Sequence, residues 1–407
     1  MKSHKWVSTT LGDQLTFQRG YDITKKEQEN GRYPVVSSSG PNSTHTEFMV
    51  AGPGIVIGRK GTLGSVFFVQ SDYWPHDTTL WVKDFHGNFP KYAYYFLKTM
   101  RFEQYDCGAS NPTLNRNHIH TLPVTYPPIS TQRKIASILS AYDDLIESNT
   151  RRIAILEEMA QTTYREWFVN FRFPGHEHVK LVDSPLGQIP EGWKVLPIDA
   201  LCSKITDGAH RSPKSVEKGL PMASMKDMEA WRLDLTTARK ITQEDFDVLV
   251  RIDCQPLKGD VLIAKDGASY LKYIFVVEEQ QEVVLLSSVA ILRPNGTLNP
   301  YLLAMKLNDP QTKGRLANYV TGAAIPRVIL KDFKRFQIII PPPIVQAEWF
   351  AKVEPAIQLI HRLLKKNDNL RITRDLLLPK LISGKLDVED IDIEVGMTAE
   401  ALDKATA

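Results

Sequence analysis

Tyr126-Pro127-Pro128-Ile129-Ser130-Thr131-Gln132 opens a stretch of some forty residues without proline or glycine that closes at Phe173-Pro174-Gly175. The two prolines set the start, Ser130 is placed to cap the first turn, and the Pro-Gly pair is a stop signal. Between them apolar residues recur at helical spacing (Ile135, Ile138, Leu139, Tyr142, Leu145, Ile146, Ile153, Leu156, Met159, Trp167), with Asp143, Glu147, Arg151 and Glu158 on the other side. The period is that of one amphipathic helix. At ~1.5 Å per residue it would reach roughly 60 Å, which makes it a strut and not an ordinary packing helix. Asn149 falls on the apolar stripe. It is either a polar residue that fixes pairing register or a solvated residue at the edge of the stripe.

A partner for the strut lies 214 residues downstream, where Ile340-Pro341-Pro342-Pro343-Ile344-Val345-Gln346 repeats the opening. Helical spacing then runs through Phe350, Val353, Ile357, Ile360, Leu363, Leu364, Leu370, Leu377 and Leu381 to Ser383-Gly384. Pro355 is expected to kink this second helix or mark its effective start. The repeat extends upstream of both helices, since Gly108-Ala109-Ser110-Asn111-Pro112 stands at the same offset as Gly322-Ala323-Ala324-Ile325-Pro326.

The segments before the two helices share a plan. In the first, Trp6-Val7 leads to Leu11-Gly12-Asp13 as a strand entering a short helix, and Gly54 to Gly61 is a strand running into a turn that carries Arg59 and Lys60. Gly64 to Val69 returns as the paired strand, and Lys91 to Met100 is an aromatic-rich helix. In the second, Gly192-Trp193-Lys194-Val195, Gly259 to Gly267 and Pro300 to Leu303 take the corresponding places. The loops diverge: Ser37 to Asn42 and His210 to Lys214 have no evident match. Two copies of one frame with different loops suggest two related surfaces that read different things.

Composition is that of a soluble globular chain, 407 residues with 43% hydrophobic and 24% charged. The length allows two or three domains. No apolar run is long enough for a membrane span and the N-terminus lacks a signal-peptide core, so a cytoplasmic location is expected. Cys107, Cys202 and Cys254 are odd in number and widely spaced, and are expected to be reduced core residues. The net charge of +3 hides an asymmetry: Leu386 to Ala407 carries seven acids and one base, leaving 49 bases against 40 acids elsewhere. A basic body with an acidic tail, expected to be disordered, is compatible with a polyanionic partner.

Catalytic motifs are absent. Gly52-Pro53-Gly54 and Gly58-Arg59-Lys60-Gly61 lack the order of a phosphate-binding loop. Tyr126-Pro127-Pro128-Ile129 lacks the amide or carboxylate of an amino-methyltransferase motif, and His118-x-His120 and His176-x-His178 lack a third metal ligand. Asp260 with Lys265 lacks the second acid of a nuclease cluster. What is left is a binding surface in the turns: Ser37, Ser38, Asn42, Arg59, Lys60, Asn111, Asn115 and Arg116 in the first copy, and His210, Arg211, Lys214, Lys265, Arg327 and Lys331 in the second. Such residue types contact phosphates and, for Arg and Asn, read base edges.

From residue 1 to about 385 the chain resembles the specificity subunits of type I restriction-modification systems. The resemblance rests on the tandem domains closed by Pro-Pro and a Gln-bearing helix start, and on Gly322 to Arg327 with Lys331-Asp332-Phe333. It rests also on the endings Trp167-Phe168-Val169-Asn170-Phe171 and Leu377-Leu378-Pro379-Lys380-Leu381-Ile382-Ser383-Gly384. The Gly108 to Arg116 copy departs from the family loop in carrying Asn111 and Asn115. The resemblance implies an α+β (mixed α/β) chain. Two target recognition domains (1-128 and 176-343) would each read half of a bipartite double-stranded DNA target. A central spacer helix (129-175) and a distal one (344-385) would pair as an antiparallel coiled coil, followed by the acidic tail (386-407). The family further implies a non-catalytic subunit without a cofactor of its own and without a membrane. Two modification subunits would dock on it and restriction subunits would join them, with S-adenosylmethionine, ATP and magnesium on those partners. Trp167, Phe168 and Phe171 with Leu377, Leu378, Leu381 and Ile382 are expected either to seat the partner subunits or to pack the two helices on each other. Two readings of other classes compete: an enzyme with a cleft between the repeats, and a protein-protein adaptor that does not touch nucleic acid.

Overall fold

A computed structural model describes residues 6–107, 113–267, 270–321 and 327–392. The chain divides into two compact units, the first made of residues 1–150 and 364–407, the second of 151–363. Both long helices are divided by this boundary. The central helix runs Ile129–Phe168 and the distal helix Pro343–Ile382, 40 residues each.

Each unit contains the same set of three sheets, to which the second adds the pairs Leu181–Ser184 with Gly187–Pro190 and Val320–Thr321 with Arg327–Val328. In the first, strands Thr16–Arg19, Thr79–Asp84, Gly54–Gly58 and Val66–Val69 lie side by side in that order. A second sheet orders Gly40–His45, Tyr33–Ser37 and Trp74–Pro75, and a third pairs Val7–Thr10 with Pro123–Tyr126. The second unit repeats this. Its four-stranded sheet orders Cys202–Asp207, Val289–Pro294, Val261–Ala264 and Ile274–Val276. Its three-stranded sheet orders Arg239–Ile241, Leu220–Ala223 and Val284–Leu285, and Lys194–Pro197 pairs with Gln337–Ile340. The innermost strands, Gly54–Gly58 and Val261–Ala264, are buried along their whole length, which their unbroken apolar runs require.

The conserved frame of each unit includes a glutamine clamp. The Gln132 carbonyl accepts from the Phe89 amide at 2.9 Å while its amide donates to the Pro127 carbonyl at 2.9 Å and to Asn88 Oδ1 at 2.7 Å. Gln346 does the same with the Asn299 amide at 3.0 Å, the Pro341 carbonyl at 2.9 Å and the Thr297 carbonyl at 3.2 Å. Both glutamines are buried. Each satisfies groups left open where a long helix starts and where the preceding helix (Pro90–Thr99 or Pro300–Asn308) begins.

Within the first unit the central helix buries Ile135, Ala136 and Leu139 in one cluster with Leu381, Ile382 and Val388. Asn149 Nδ2 donates to Asn367 Oδ1 at 2.8 Å, both buried, and Arg374 meets Asp143 at 2.5 Å. Positions thus fall on one helix as they rise on the other. Within the second unit Ala160, Tyr164, Trp167 and Phe168 pack with Trp349, Val353 and Ile357.

Several details differ from expectation. The central helix starts at Ile129, so Ser130 lies in its first turn, where the Gln132 amide donates to the Pro128 carbonyl. It ends at Phe168, before the Pro-Gly stop. Phe171 adopts φ 57, the Arg172 amide closes back on the Glu166 carbonyl at 2.7 Å, and Phe171 and Phe173 each pack on Trp193 with ring centroids 5.3 Å apart. Aromatic packing stops the helix earlier than proline does. The distal helix starts at Pro343 and continues through Pro355, so that proline marks no start. Leu386–Asp392 is docked: Val388 is buried and Lys134 Nζ donates to the carbonyls of Glu389 at 2.7 Å and Ile391 at 2.9 Å. Of the three cysteines only Cys202 and Cys254 are core residues, their thiols pushed up by burial to about 12 and about 11, while Cys107 is exposed.

Candidate nucleic-acid interface

In the first unit, strand Gly54–Gly58 delivers Arg59 and Lys60 to a turn whose amides donate to the Thr78 carbonyl at 2.9 and 3.0 Å. Ser38 is drawn to the same point, its amide donating to Thr78 Oγ1 at 3.3 Å. The Leu114 amide donates to the Arg59 carbonyl at 2.9 Å, and Thr113 bridges Lys60. Gly61 takes φ 77 beside Ser38, a conformation that favours glycine. Three loops far apart in sequence therefore converge. Ser37, Ser39 and Asn42 form a hydroxyl-amide cluster, Asn42 Nδ2 donating to Ser39 Oγ at 2.6 Å, on the wall of an open hollow of ≈ 1000 Å³. Arg116 and Lys60 are exposed, and Asn115 caps the short helix Arg116–His120 by accepting from the Asn117 amide. Burial and the nearby Arg19 lower the Arg59 pKa, against the pull of Asp77, which Arg19 meets at 3.1 Å.

The second unit builds the same corner with other side chains. The Lys265 amide donates to the Ser288 carbonyl at 2.9 Å, the Met225 amide to Ser288 Oγ at 3.2 Å, and the Val328 amide to the Lys265 carbonyl at 3.0 Å. Asp266 bridges Arg327, and Gly267 takes φ 75 beside Met225. By these bonds Lys265 stands where Arg59 does, Asp266 where Lys60 does, Arg327 where Thr113 does, and Ser224-Met225 where Ser37-Ser38 do. Lys265 is not a surface base. It is buried, its ammonium 3.0 Å from Asp207 and 3.5 Å from Asp266, because two carboxylates close over it. Asp207 also meets His210 at 3.1 Å, and Asp266 meets Arg327 at 3.1 Å. Arg211, Lys214 and Lys331 are exposed. Asn111 and the paired glycine loops at 108–112 and 322–326 lie outside the described residues.

Sequence reading missed Asp207, Asp266, Ser224, Met225 and Ser288. The hydroxyl shared by Thr78 and Ser288 was the available signal, and it is one residue long. Of the two apolar endings, Trp167, Phe168, Leu381 and Ile382 are buried and Phe171, Leu377 and Leu378 half-buried against the cores. Their rings and methyls are covered within the chain, by the unit cores as well as by the other helix. Apolar side chains that are exposed on the long helices include Ile129, Leu145, Ile372 and Leu376 in the first unit and Ile155, Met159, Ile344 and Leu359 in the second.

Residues weighed for chemistry have structural work. Asp260 is clamped by Arg293 through two bonds of 2.9 Å, and His120 accepts from the Phe17 amide at 3.0 Å. Among the described residues no group of three or more His, Cys, Asp or Glu is placed to hold a metal, and no helix is long and apolar enough to cross a membrane.

Fold and corners together define a tandem-repeat protein with two homologous loop surfaces of different chemistry. A family model described as the type I restriction modification DNA specificity domain matches residues 3–158. The MjaIX specificity subunit of Methanocaldococcus jannaschii is 26% identical over 322 residues, 75% of this chain and 71% of that protein. The HindI specificity subunit of Haemophilus influenzae is 21% identical over 333 residues, 68% of this chain and 71% of that protein. The crystal structure of the type I restriction-modification S subunit from M. genitalium shares the fold, with a TM-score of 0.57 at 16% identity over 94% of this chain and 97% of that one. What the chain is similar to is thus the specificity subunits of type I restriction-modification systems, with the family model covering the first unit's sheets and most of the central helix.

Proposed function

We propose that the chain reads a bipartite double-stranded DNA target, the corner around Arg59 and Lys60 reading one half and the corner around Asp266 and Arg327 the other. The observation that carries this is one backbone corner built twice with exchanged charges, as two readers of different sequences require. The two long helices form an antiparallel coiled coil, with the Asn149-Asn367 pair fixing register. They set the spacer between the half-sites and carry two modification subunits on their exposed apolar residues, among them Leu145, Ile372 and Leu376 in the first unit and Ile155, Met159 and Leu359 in the second. Restriction subunits complete the assembly. The chain is non-catalytic and cytoplasmic, and S-adenosylmethionine, ATP and magnesium belong to the partners.

The test is the methylated motif in cells that carry the chain with its modification subunit. A bipartite motif is expected. Four residues inserted after Ser148, matched by four after Asn367, add ~6 Å to the helix pair and rotate the stripe by only ~40°. With DNA rising ~3.4 Å per base pair, the spacer should lengthen by roughly one to two base pairs. An active variant with an unchanged spacer removes the ruler role.

A further inference from the structure

We propose that Arg327 is the side chain with which the second unit reads a guanine, and that Asp266 positions it, itself braced by the buried Lys265. This rests on the reading of the second unit as one half of the DNA reader, and it names the chemistry of that half.

The geometry begins with the backbone. Asp266 and Arg327 are bridge partners, and the Val328 amide bonded to the Lys265 carbonyl fixes their separation. Arg327 Nε donates to Asp266 Oδ1 at 3.1 Å, and neither Nη bonds another described residue. The Arg327 side chain is 59% exposed, and its two Nη groups form a fork without a bond to a described residue on a side chain whose root and Nε are held. Asp266 in turn is only 11% exposed and is held from behind by Lys265, which Asp207 grips from the other side.

As a stabilising device this arrangement is poor. Closing a lysine between two carboxylates costs desolvation, and an exposed arginine pair contributes little. Nor does the corner need it: the first unit makes the same backbone turn with Lys60 opposite Thr113 and without this ion chain. What the chain of charges accomplishes is to take orientational freedom from one exposed arginine.

A held fork suits a bidentate acceptor, which the guanine O6 and N7 edge and a phosphate both present. The charge balance favours the base. Asp266 already neutralises Arg327, which weakens its pull on an anion, whereas hydrogen bonds to a neutral base edge depend on donor direction. Arg116, Arg211 and Lys214, exposed and without such a partner among the described residues, suit phosphate better.

The experiment uses the full chain with its modification subunit in cells, reading the methylated motif for wild type, Arg327→Lys and Asp266→Asn. Lysine keeps the charge but loses the fork. In Arg327→Lys one guanine of one half-site should relax, its preference falling on the order of tenfold, with the other half-site unchanged. Asp266→Asn should relax the same position while Arg327 is still present, which a merely structural role would not do. If Asp266→Asn fails to accumulate, Arg327→Lys decides, because that side chain lies outside the core. An unchanged motif, an even loss at all sites as a phosphate contact would give, or a half-site without guanine overturns the assignment. A wild-type chain that yields no bipartite motif would instead remove the reading on which it rests.

Discussion

Gln132 and Gln346 form the same buried hydrogen bonds 214 residues apart, whereas Arg59 and Lys265, which hold one position in the two frames, live in opposite surroundings. Arg59 faces another arginine, Arg19, and is half-exposed. Lys265 is enclosed by Asp207 and Asp266. The comparison separates what a repeat must keep from what it can change. The clamp joins a helix start to the sheet layer and has no freedom, while the corner needs only its backbone bonds and leaves its charges open to variation.

The largest expected effect breaks the comparison at Lys265. Lys265→Met leaves two nearly buried carboxylates side by side without the cation between them, and removing one partner of a buried ion group costs about 3–5 kcal/mol. Denaturant unfolding of the chain should register that loss, and a change below ~1 kcal/mol would show that water already screens the site.

Lys306 sharpens the contrast from the other direction. Counting from Pro90 and Pro300, it occupies the place of the buried Phe96, and its ammonium lies 5.7 and 5.3 Å from the Tyr164 and Phe168 rings. Burial pulls its pKa from 10.5 down to about 7, Asp309 opposing. Between those values the unfolded chain keeps a proton that the folded chain has released, so stability rises with pH across that window, and the penalty is complete below it. Lys306→Met should therefore stabilise most at pH 6 and lose its advantage by pH 10 or so. Melting curves at three pH values check this, and a gain independent of pH contradicts it.

The clamps should respond alike. Gln132→Ala and Gln346→Ala each leave a buried amide and carbonyl unpaired, at ~1–3 kcal/mol per variant. Unequal losses, read by urea midpoints, would mean that the frame is less repeated than its bonds.

How much of this was legible follows from the same contrast. Pro-Pro and the glutamine stand in one short repeated word, so the clamp's position was visible, whereas its partners Asn88 and Phe89, or Thr297 and Asn299, lie more than forty residues upstream and were not. Lys60 and Thr113, or Asp266 and Arg327, meet only through strand pairing, and the second pair replaces a base and a hydroxyl with an acid and a base. No residue-by-residue match between copies could show that. The same reason hid the end of the central helix: Pro174-Gly175 is visible in the sequence, whereas the packing of Phe171 and Phe173 on Trp193 is not. The helical spacing of apolar residues showed both helices but not their covering, so whether Trp167 and Leu381 seat a partner or pack within the chain stayed open in the sequence; in the structure both are buried.

The smallest expected effect on stability is the one that sharpens the comparison most. Among the described residues the Arg59 side chain donates only to the Asp77 carbonyl, at 3.4 Å, and it lies within the repulsive field of Arg19. Removing its charge loses one long hydrogen bond and relieves one like-charge interaction, so Arg59→Gln should change stability by no more than ~0.5 kcal/mol, as for substitutions that touch no packed or paired group. Binding is different. If Arg59 contacts a phosphate, the variant should weaken binding of the first half-site and flatten the salt dependence by ~0.9 in the logarithmic slope, leaving the second half-site as it was. Unfolding midpoints and salt titrations on duplexes altered in one half-site at a time read the two effects separately. A stability loss as large as that of Lys265→Met would mean that Arg59 is also a structural cation, and the two corners would then differ in residue type without differing in role.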